Sequence, residues 1–137
     1  MPKLKVLFVS PEMAPFAKTG GLADVGGALP PALQALGADV KCAMPLFRQV
    51  DRSGLRKAKG GSLSLGLNGL QNDVEVLQGS MAKGLPVYFI RNDFYYDREF
   101  LYGSPQGDYP DNAERFTFFC RALLEYIKTQ GSAPDII

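Results

Sequence analysis

The order of apolar and polar positions predicts a strand, a helix and a second strand in the first third of the chain. Lys3–Val9 (KLKVLFV) is an apolar, valine-containing run, typical of a strand buried on both faces of a parallel sheet. Residues 21–37 (GLADVGGALPPALQALG) carry apolar side chains near helical spacing, and Gly37 is expected to end this helix. These apolar positions are Leu22, Val25, Leu29, Leu33 and Leu36. Residues 39–47 (DVKCAMPLF) supply the second strand, which ends at Pro45. The pattern therefore predicts a right-handed βαβ unit.

The middle of the chain has a different pattern. Pro30 and Pro31 fall inside the first helix and predict a kink or a restart there. Residues 47–61 (FRQVDRSGLRKAKGG) are polar and basic and predict a loop. Three segments follow with partial period-two alternation and turn residues between them: SLSLGLNG, DVEVLQGSMA and LPVYFIRND. They predict antiparallel strands, some at an edge of the main sheet.

The clearest helix is predicted for residues 111–131 (DNAERFTFFCRALLEYIKTQG). Asp111 or Asn112 is expected to cap it, and Gly131 is expected to end it. Its expected buried stripe consists of Phe116, Phe119, Leu123, Leu124 and Ile127. The last four residues, PDII, begin another apolar run that predicts a buried strand. Since this run is only two isoleucines long, we expect the chain to belong to a longer protein.

Composition narrows the class of protein. The chain has 137 residues, 46% of them hydrophobic and 21% charged, as expected for one globular domain. A net charge of +1 gives no reason to expect nucleic acid or an anionic membrane as a partner. No apolar run approaches the roughly 20 residues of a membrane span, and the first apolar run is better explained by a buried strand than by a signal peptide.

Histidine and cysteine usage bears on chemistry and location. The chain has no histidine, which removes the commonest general base and metal ligand, so we predict neither a metal nor a cofactor. Cys42 and Cys120 lie in apolar surroundings without CxxC spacing. They predict buried thiols in a reducing cytoplasm.

The stretch SPEMAPFAKTGGLADVGG (Ser10–Gly27) carries the candidate chemistry. It forms the βα turn at the carboxyl end of the first strand, where open α/β folds bind ligands. Gly20 and Gly21 would let backbone amides approach a ligand, and Lys18 adds a positive charge beside a helix N-terminus. A phosphate site is one interpretation, and a structural turn with a solvated lysine is the other. The stretch matches neither GxGxxG nor a P-loop.

Other polar and aromatic residues are open to two interpretations each. Asp24 either stabilises the helix dipole or contacts a sugar hydroxyl. Glu12 either lines the cleft or makes a loop hydrogen bond. Tyr102 lies in a tyrosine-rich loop with Tyr95, Tyr96 and Tyr109, which either packs over the sheet or offers an acceptor platform. Asp111, Asn112 and Arg115 are interpreted as a helix cap and a packing salt bridge. Five basic residues of the predicted loop form either a solvated face or a mobile flap: Arg48, Arg52, Arg56, Lys57 and Lys59.

The opening segment KVLFVSPEMAPFAKTGGLADVGGALPPAL resembles the start of bacterial glycogen synthases and plant starch synthases. The string Lys18–Val25 (KTGGLADV) is highly specific to that family, and YDRE, LYG and DYPDNAERFTFF agree further along. The resemblance implies a retaining glycosyltransferase that uses ADP-glucose and an α-1,4-glucan such as glycogen. It also implies a GT-B fold, in which two Rossmann-like domains enclose the active site; residues 1–137 would be part of the amino-terminal domain, without the carboxyl-terminal one.

The resemblance also assigns roles to residues. The family's lysine in this string contacts the ADP-glucose phosphates, and Lys18 matches it; Gly20 and Gly21 match glycines that face the same ligand. Asp24, Glu12 and Tyr102 are candidates for sugar or acceptor contacts. The family's other phosphate-binding residues and its glutamate lie beyond this stretch, so we expect no catalytic residue here and no activity from the isolated chain.

Two other functions are alternatives to this one. A non-catalytic Rossmann-like domain that binds phosphate or a nucleotide is the main alternative. A nucleotide-dependent oxidoreductase is disfavoured because GxGxxG and an acidic residue closing the second strand are absent.

Overall fold

The computed structural model describes residues 2–137. Five strands form the main sheet: β1 (Lys5–Val9), β2 (Asp39–Pro45), β3 (Arg56–Leu67), β4 (Leu70–Met81) and β5 (Leu85–Arg91). The helices are α1 (Gly21–Ala35), α2 (Asp93–Tyr96) and α3 (Asn112–Thr129), and a small hairpin consists of β6 (Gly103–Ser104) and β7 (Gly107–Asp108).

The main sheet is mixed, with strand order β1-β2-β5-β4-β3. β1, β2 and β5 are parallel neighbours, whereas β4 and β3 continue the sheet in antiparallel pairing. The predicted βαβ unit is therefore confirmed as β1-α1-β2. The predicted antiparallel segments are confirmed as β3, β4 and β5, although β5 is antiparallel only to β4 and also pairs in parallel with β2. The carboxyl ends of the three parallel strands lie at one edge of the fold, where the glycine-rich turn follows β1.

The β3–β4 hairpin shows where the predicted loop ends. Asn68 and Gly69 connect the strands with φ of 52° and 75°, as the two-residue turns of twisted hairpins require. The loop predicted for residues 47–61 is wrong from Arg56 onward, because β3 begins there and pairs with β4. The first residues of β3 show no hydrophobic alternation, because only Ala58 and Gly61 are buried between Arg56 and Gly61. The sequence pattern therefore did not predict a strand there.

Helices cover both faces of the sheet. Phe16, in the turn before α1, packs edge-on against Phe89 of β5 with ring centroids 5.1 Å apart. The neighbouring Tyr88 contacts Tyr126 of α3 at 5.6 Å. Since successive side chains of a strand point to opposite faces, α1 and α3 lie on opposite sides of the sheet, as in other doubly wound folds.

α1 exposes the apolar positions that predicted it. Its buried residues are Ala23, Gly26 and Pro30, whereas Leu22 and Val25 are 48% and 50% exposed. The small side chains allow the helix to lie close against the segment after β1, so most of the large apolar side chains face outward, whereas Leu33 packs against the core. α1 does not restart at Pro30 and Pro31, and Gly37, with φ of +99°, follows its end as predicted.

α3 is confirmed as a helix, but its buried stripe is shifted. Phe119 and Leu123 are buried as predicted, whereas Leu124 is 48% exposed. Phe116 and Ile127 are only partly buried. The buried face also includes Arg115, Phe118, Ala122 and Tyr126. The prediction followed the helical spacing of apolar residues and therefore did not place the charged Arg115 on the buried face. The predicted stripe was displaced from the observed one as a result.

The chain's last residues add to the edge of the sheet. Ile136 forms a parallel bridge with Val6 of β1, and the Leu7 amide donates to the Ile136 carbonyl at 2.9 Å. The predicted strand onset is therefore present, but Ile136 and Ile137 are 50% and 67% exposed rather than buried.

The two cysteines differ in environment. Both are free thiols; Cys42 is buried in β2, where desolvation raises its pKa to about 12. Cys120 lies on the exposed side of α3, so its predicted burial is wrong. Within residues 2–137, no helix is both long enough and apolar enough to cross a membrane.

Candidate functional site

The candidate site is the turn between β1 and α1, at the carboxyl ends of the parallel strands. Ser10 follows β1 and its amide donates to the Ala43 carbonyl of β2 at 3.2 Å. Met13 and Ala17 form a short antiparallel bridge and are both buried. The turn is therefore anchored in the core on its β1 side, whereas Lys18 and Thr19 emerge at the surface.

Lys18 projects from the turn and meets Asp24 in the first turn of α1. Its Nζ donates to Asp24 Oδ1 at 2.6 Å, and the two side chains are 52% and 60% exposed. An ion pair this exposed contributes little to folding. Lys18 thus keeps two further N–H donors for another acceptor, and the structure brings these two predicted residues together.

Glu12 lies beneath the turn and is almost completely buried, at 3% exposure. Its Oε1 accepts hydrogen bonds from the amides of Thr19 and Gly20 at 2.6 and 3.3 Å. Its Oε2 accepts from the hydroxyls of Thr19 and Tyr102 at 2.9 and 2.5 Å. Burial alone would raise the pKa of Glu12, but these hydrogen bonds outweigh burial and lower the pKa.

Glycine serves different purposes in the turn and inside α1. A Cβ at Gly20 or Gly21 would meet nothing within 4 Å. A Cβ at Gly26 would lie 2.7 Å from the Glu12 carbonyl oxygen, and one at Gly27 would lie 3.0 Å from the Ala14 carbonyl oxygen. Gly26 and Gly27 therefore let α1 pack tightly, whereas Gly20 and Gly21 leave an open approach to the backbone.

This difference predicts opposite effects of two alanine substitutions. Gly26→Ala should lower the free energy of unfolding by about 1–3 kcal/mol, because a methyl group would press on a backbone oxygen that cannot rotate away. Gly21→Ala should leave stability unchanged or raise it by up to about 1 kcal/mol, since alanine favours helix and the space is empty. Urea denaturation followed by circular dichroism would measure both. A Gly26→Ala protein as stable as Gly21→Ala would contradict the packing role.

Backbone donors without an acceptor lie at the start of α1, next to this open space. Within residues 2–137, the N–H groups of Gly21 and Leu22 have no hydrogen-bond acceptor, as is usual in the first turn of a helix. The helix dipole adds a partial positive charge there. Together with the Lys18 ammonium, these groups favour an anion.

Tyr102 borders the site from the far end of the chain. It precedes the β6–β7 hairpin, and burial together with its bond to Glu12 raises the pKa of its hydroxyl. An open cleft of about 420 Å³ lies between the turn and this hairpin, with Lys18 and Thr19 on one wall and Tyr102 and Ser104 on another. A more enclosed cavity between β1 and α3 measures only about 70 Å³, too little for a nucleotide sugar.

Arg115 of α3 supports the tyrosine-rich segment from inside. It is fully buried, and its guanidinium donates to the carbonyls of Tyr95 and Leu101 at 2.7 and 2.9 Å. Asp111 does not cap α3 through its side chain; its carboxylate pairs with Arg98 at 2.7 Å. Asn112 Oδ1 accepts from Arg115 at 2.8 Å. Asp111 is thus at the N-cap position without a side-chain cap, its salt bridge is with Arg98, and the guanidinium of Arg115 binds carbonyl groups instead of a carboxylate.

Sequence reasoning missed Thr19, and it named Arg115 without predicting that this residue is fully buried. Thr19 links its amide and hydroxyl to Glu12, and its place inside the glycine-rich string was the available signal. Arg115 could not be recognised as buried, because nothing in its neighbourhood distinguishes it from a surface arginine. Among the described residues, no group of three or more potential metal ligands is clustered.

Comparison with known proteins identifies the family of this chain. The family model "Starch synthase catalytic domain" matches residues 5–137. The chain belongs to this family. The match covers the glycine-rich turn, both walls of the cleft and α3.

Relatives in the starch synthase family support the same assignment. Glycogen synthase 2 of Geobacter sulfurreducens (strain ATCC 51573 / DSM 12127 / PCA) is 45% identical over 136 residues, which cover 98% of this chain. Glycogen synthase of Syntrophotalea carbinolica (strain DSM 2380 / NBRC 103641 / GraBd1) is 47% identical over 135 residues, again 98% of the chain. The chain spans about 28% of the length of each of these relatives.

A solved structure shows the same fold. It is described as the catalytic domain of Starch Synthase IV from Arabidopsis thaliana bound to ADP and acarbose, and it aligns with a TM-score of 0.84 at 32% identity. The alignment covers 98% of this chain and 27% of that one. The α/β fold expected from the sequence is therefore that of the family's catalytic domain, within its GT-B architecture.

Proposed function

We propose that the protein containing this chain transfers glucose from ADP-glucose to the non-reducing end of an α-1,4-glucan, with retention of configuration. In this proposal residues 1–137 are the first part of the amino-terminal Rossmann-like domain, and the second domain lies outside them. The observation that carries the proposal is the turn itself: an exposed lysine and two amides that are unpartnered within residues 2–137 lie beside open space at the carboxyl end of the parallel strands. Family membership and the ADP bound to the Arabidopsis relative support it.

The turn suits the charge that develops in such a transfer. When the bond between glucose and phosphate breaks, negative charge grows on the departing ADP. Lys18 and the amides of Gly21 and Leu22, which have no acceptor within residues 2–137, would stabilise that charge as fixed donors, whereas the Gly20 amide is already held by Glu12. Asp24 need not leave, because an ammonium has three protons and Asp24 holds only one.

Asp24 is the best candidate here for a contact with a sugar hydroxyl. One of its carboxylate oxygens holds Lys18, and the side chain is 60% exposed. The other oxygen has no partner within residues 2–137 and is free to accept. Glu12 and Tyr102 were the other candidates from the sequence, but their polar atoms already bind each other.

The proposal assigns no catalytic residue and no cofactor to this chain. The glucan and the nucleotide sugar are its proposed substrates, without nucleic acid or membrane partners. We place the protein in the cytoplasm, which the free thiols of Cys42 and Cys120 support. The isolated 137-residue chain should not transfer glucose, since in this proposal the second domain that completes the active site lies outside these residues.

Glucosyl transfer to glycogen tests the proposal directly. The full-length protein should incorporate glucose from ADP-glucose and prefer it to UDP-glucose, whereas the 137-residue chain should incorporate none. Transfer from neither donor by a folded full-length protein would overturn the synthase function. ADP binding without transfer would instead favour a non-catalytic nucleotide-binding domain.

A further inference from the structure

The carboxylate of Glu12 has no room for another hydrogen-bond partner. Each of its two oxygens accepts two hydrogen bonds, from Thr19 and Gly20 on one side and from Thr19 and Tyr102 on the other. A carboxylate offers about four acceptor positions. A sugar hydroxyl could bind Glu12 only by displacing one of these groups. Glu12 is therefore poorly suited to a direct substrate contact.

The backbone of Glu12 is fixed as firmly as its side chain. Ser10 Oγ donates to the Glu12 carbonyl at 2.8 Å and lies 3.3 Å from the Glu12 amide, which donates to it. Gly26 of α1 packs against the same carbonyl, where no larger residue fits. Within the described part of the chain, Glu12 pairs with no lysine or arginine. A buried, unpaired carboxylate is costly unless hydrogen bonds satisfy it. Here the carboxylate accepts all of its hydrogen bonds from the turn and from Tyr102.

Tyr102 connects Glu12 to α3. The Tyr102 carbonyl accepts from Asn112 Nδ2 at 2.8 Å and from the Tyr109 amide at 2.9 Å. The preceding Leu101 carbonyl accepts from the buried Arg115. The hydroxyl of Tyr102 is thus presented to Glu12 by a backbone that α3 holds on the other side.

We propose that Glu12 and Tyr102 are positioning residues, which hold the Lys18–Gly21 turn in the conformation that receives the diphosphate of the sugar donor. This inference rests on the proposed function. Glu12 fixes Thr19 and Gly20, the two residues between Lys18 and Gly21, and Tyr102 fixes Glu12. Neither residue needs to touch the donor or the glucan.

The test compares Tyr102→Phe with Tyr126→Phe in the full-length protein. Each substitution removes one hydroxyl that donates to one protein acceptor, but Tyr126 donates to the Lys59 carbonyl at 3.2 Å, away from the site. We expect Tyr102→Phe to weaken ADP binding and to raise the KM for ADP-glucose by about tenfold, because a hydrogen bond to a charged group is lost. The KM for glycogen should not change, and Tyr126→Phe should match wild type. Unchanged ADP affinity in Tyr102→Phe, or a raised KM for glycogen alone, would overturn the inference; the latter result would indicate a direct glucan contact.

Substitutions of Glu12 provide a second, structural readout. Glu12→Ala should abolish the protection of the Thr19 amide from hydrogen exchange, measured on the full-length protein by mass spectrometry of a fragment that contains Thr19. Glu12→Gln should restore part of it, since the amide oxygen can still accept from Thr19 and Gly20. Equal protection in wild type and Glu12→Ala would contradict the inference.

The two readouts separate this inference from the proposed function. A wild-type protein that fails to bind ADP would overturn the function, and with it the ligand role of the turn. The exchange measurement would still decide whether Glu12 orders Thr19 and Gly20. If Tyr102→Phe bound ADP as tightly as wild type, the proposed function would be unaffected, but the positioning role of Tyr102 would be overturned.

Discussion

Lys18→Ala should reduce the rate of glucosyl transfer by the full-length protein by about 100- to 1,000-fold. This is the usual loss when one preorganised donor to a developing negative charge is removed. The loss should be larger than the charge alone suggests, because Asp24 would then stand unpaired beside the phosphates and repel them. Transfer of radioactive glucose from ADP-glucose to glycogen measures the effect.

The stability of the protein should hardly change in Lys18→Ala. The side chain is 52% exposed and its only partner in the described residues is the equally exposed Asp24, so the expected change is within about 0.5 kcal/mol. Lys128→Ala is a matched control, since Lys128 is also an exposed lysine paired with a carboxylate, at 2.8 Å from Glu125. It should leave the rate unchanged. A Lys18→Ala protein that unfolds, or one with normal activity, would favour the interpretation of the turn as purely structural.

The double substitution Lys18→Ala with Asp24→Asn separates two contributions to that loss. If the unpaired carboxylate repels the donor, the double variant should recover part of the rate. If Asp24 is instead needed for a sugar hydroxyl, the double variant should be slower than Lys18→Ala. Both results are read from the same transfer assay.

The sequence was sufficient for the elements that depend on local pattern. The valine-rich β1, the turn glycines and the long α3 each carry a periodic or conformational signal that tertiary contacts did not override. The position of Lys18 followed directly, since a residue in the first βα turn must lie at the carboxyl edge of a parallel sheet.

The faces of the helices required the structure. In α1 the tight contact of Gly26 with the Glu12 carbonyl selects the small-residue face for burial, and Leu22 and Val25 are turned outward. Hydrophobic periodicity cannot anticipate this, because it weighs apolar size and ignores how closely two backbones approach. In α3 the fully buried Arg115 lies outside the apolar stripe that the pattern predicts.

The connections within the site also required the structure. Glu12 and Tyr102 are 90 residues apart in the chain, and nothing local indicates that they share a hydrogen bond. Both were recognised as candidates for substrate contacts because polar residues near a cleft commonly serve that purpose. Only the geometry shows that their polar atoms are directed at each other and at Thr19.

Arg115→Ala should lower the free energy of unfolding by about 3–5 kcal/mol. The substitution removes a large, fully buried side chain, which by itself leaves a cavity of considerable cost. It also leaves the carbonyls of Tyr95 and Leu101 without their donor, at about 1–3 kcal/mol for each buried group. Part of this loss is offset, because burial lowers the pKa of Arg115 and shows that its charge is held at some cost. Urea denaturation followed by circular dichroism measures the change.

Two further variants identify the cause of that loss. Arg121→Ala, at an exposed position of the same helix, should stay within about 0.5 kcal/mol of wild type. Arg115→Met fills much of the volume but cannot donate, so it should be intermediate if both packing and the two carbonyl contacts matter. The guanidinium also lies over the Tyr109 ring at 5.0 Å, a contact that methionine replaces only in part. If Arg115→Ala were as stable as Arg121→Ala, α3 would not be the support of the tyrosine-rich segment. Tyr102 would then need another explanation for its fixed backbone.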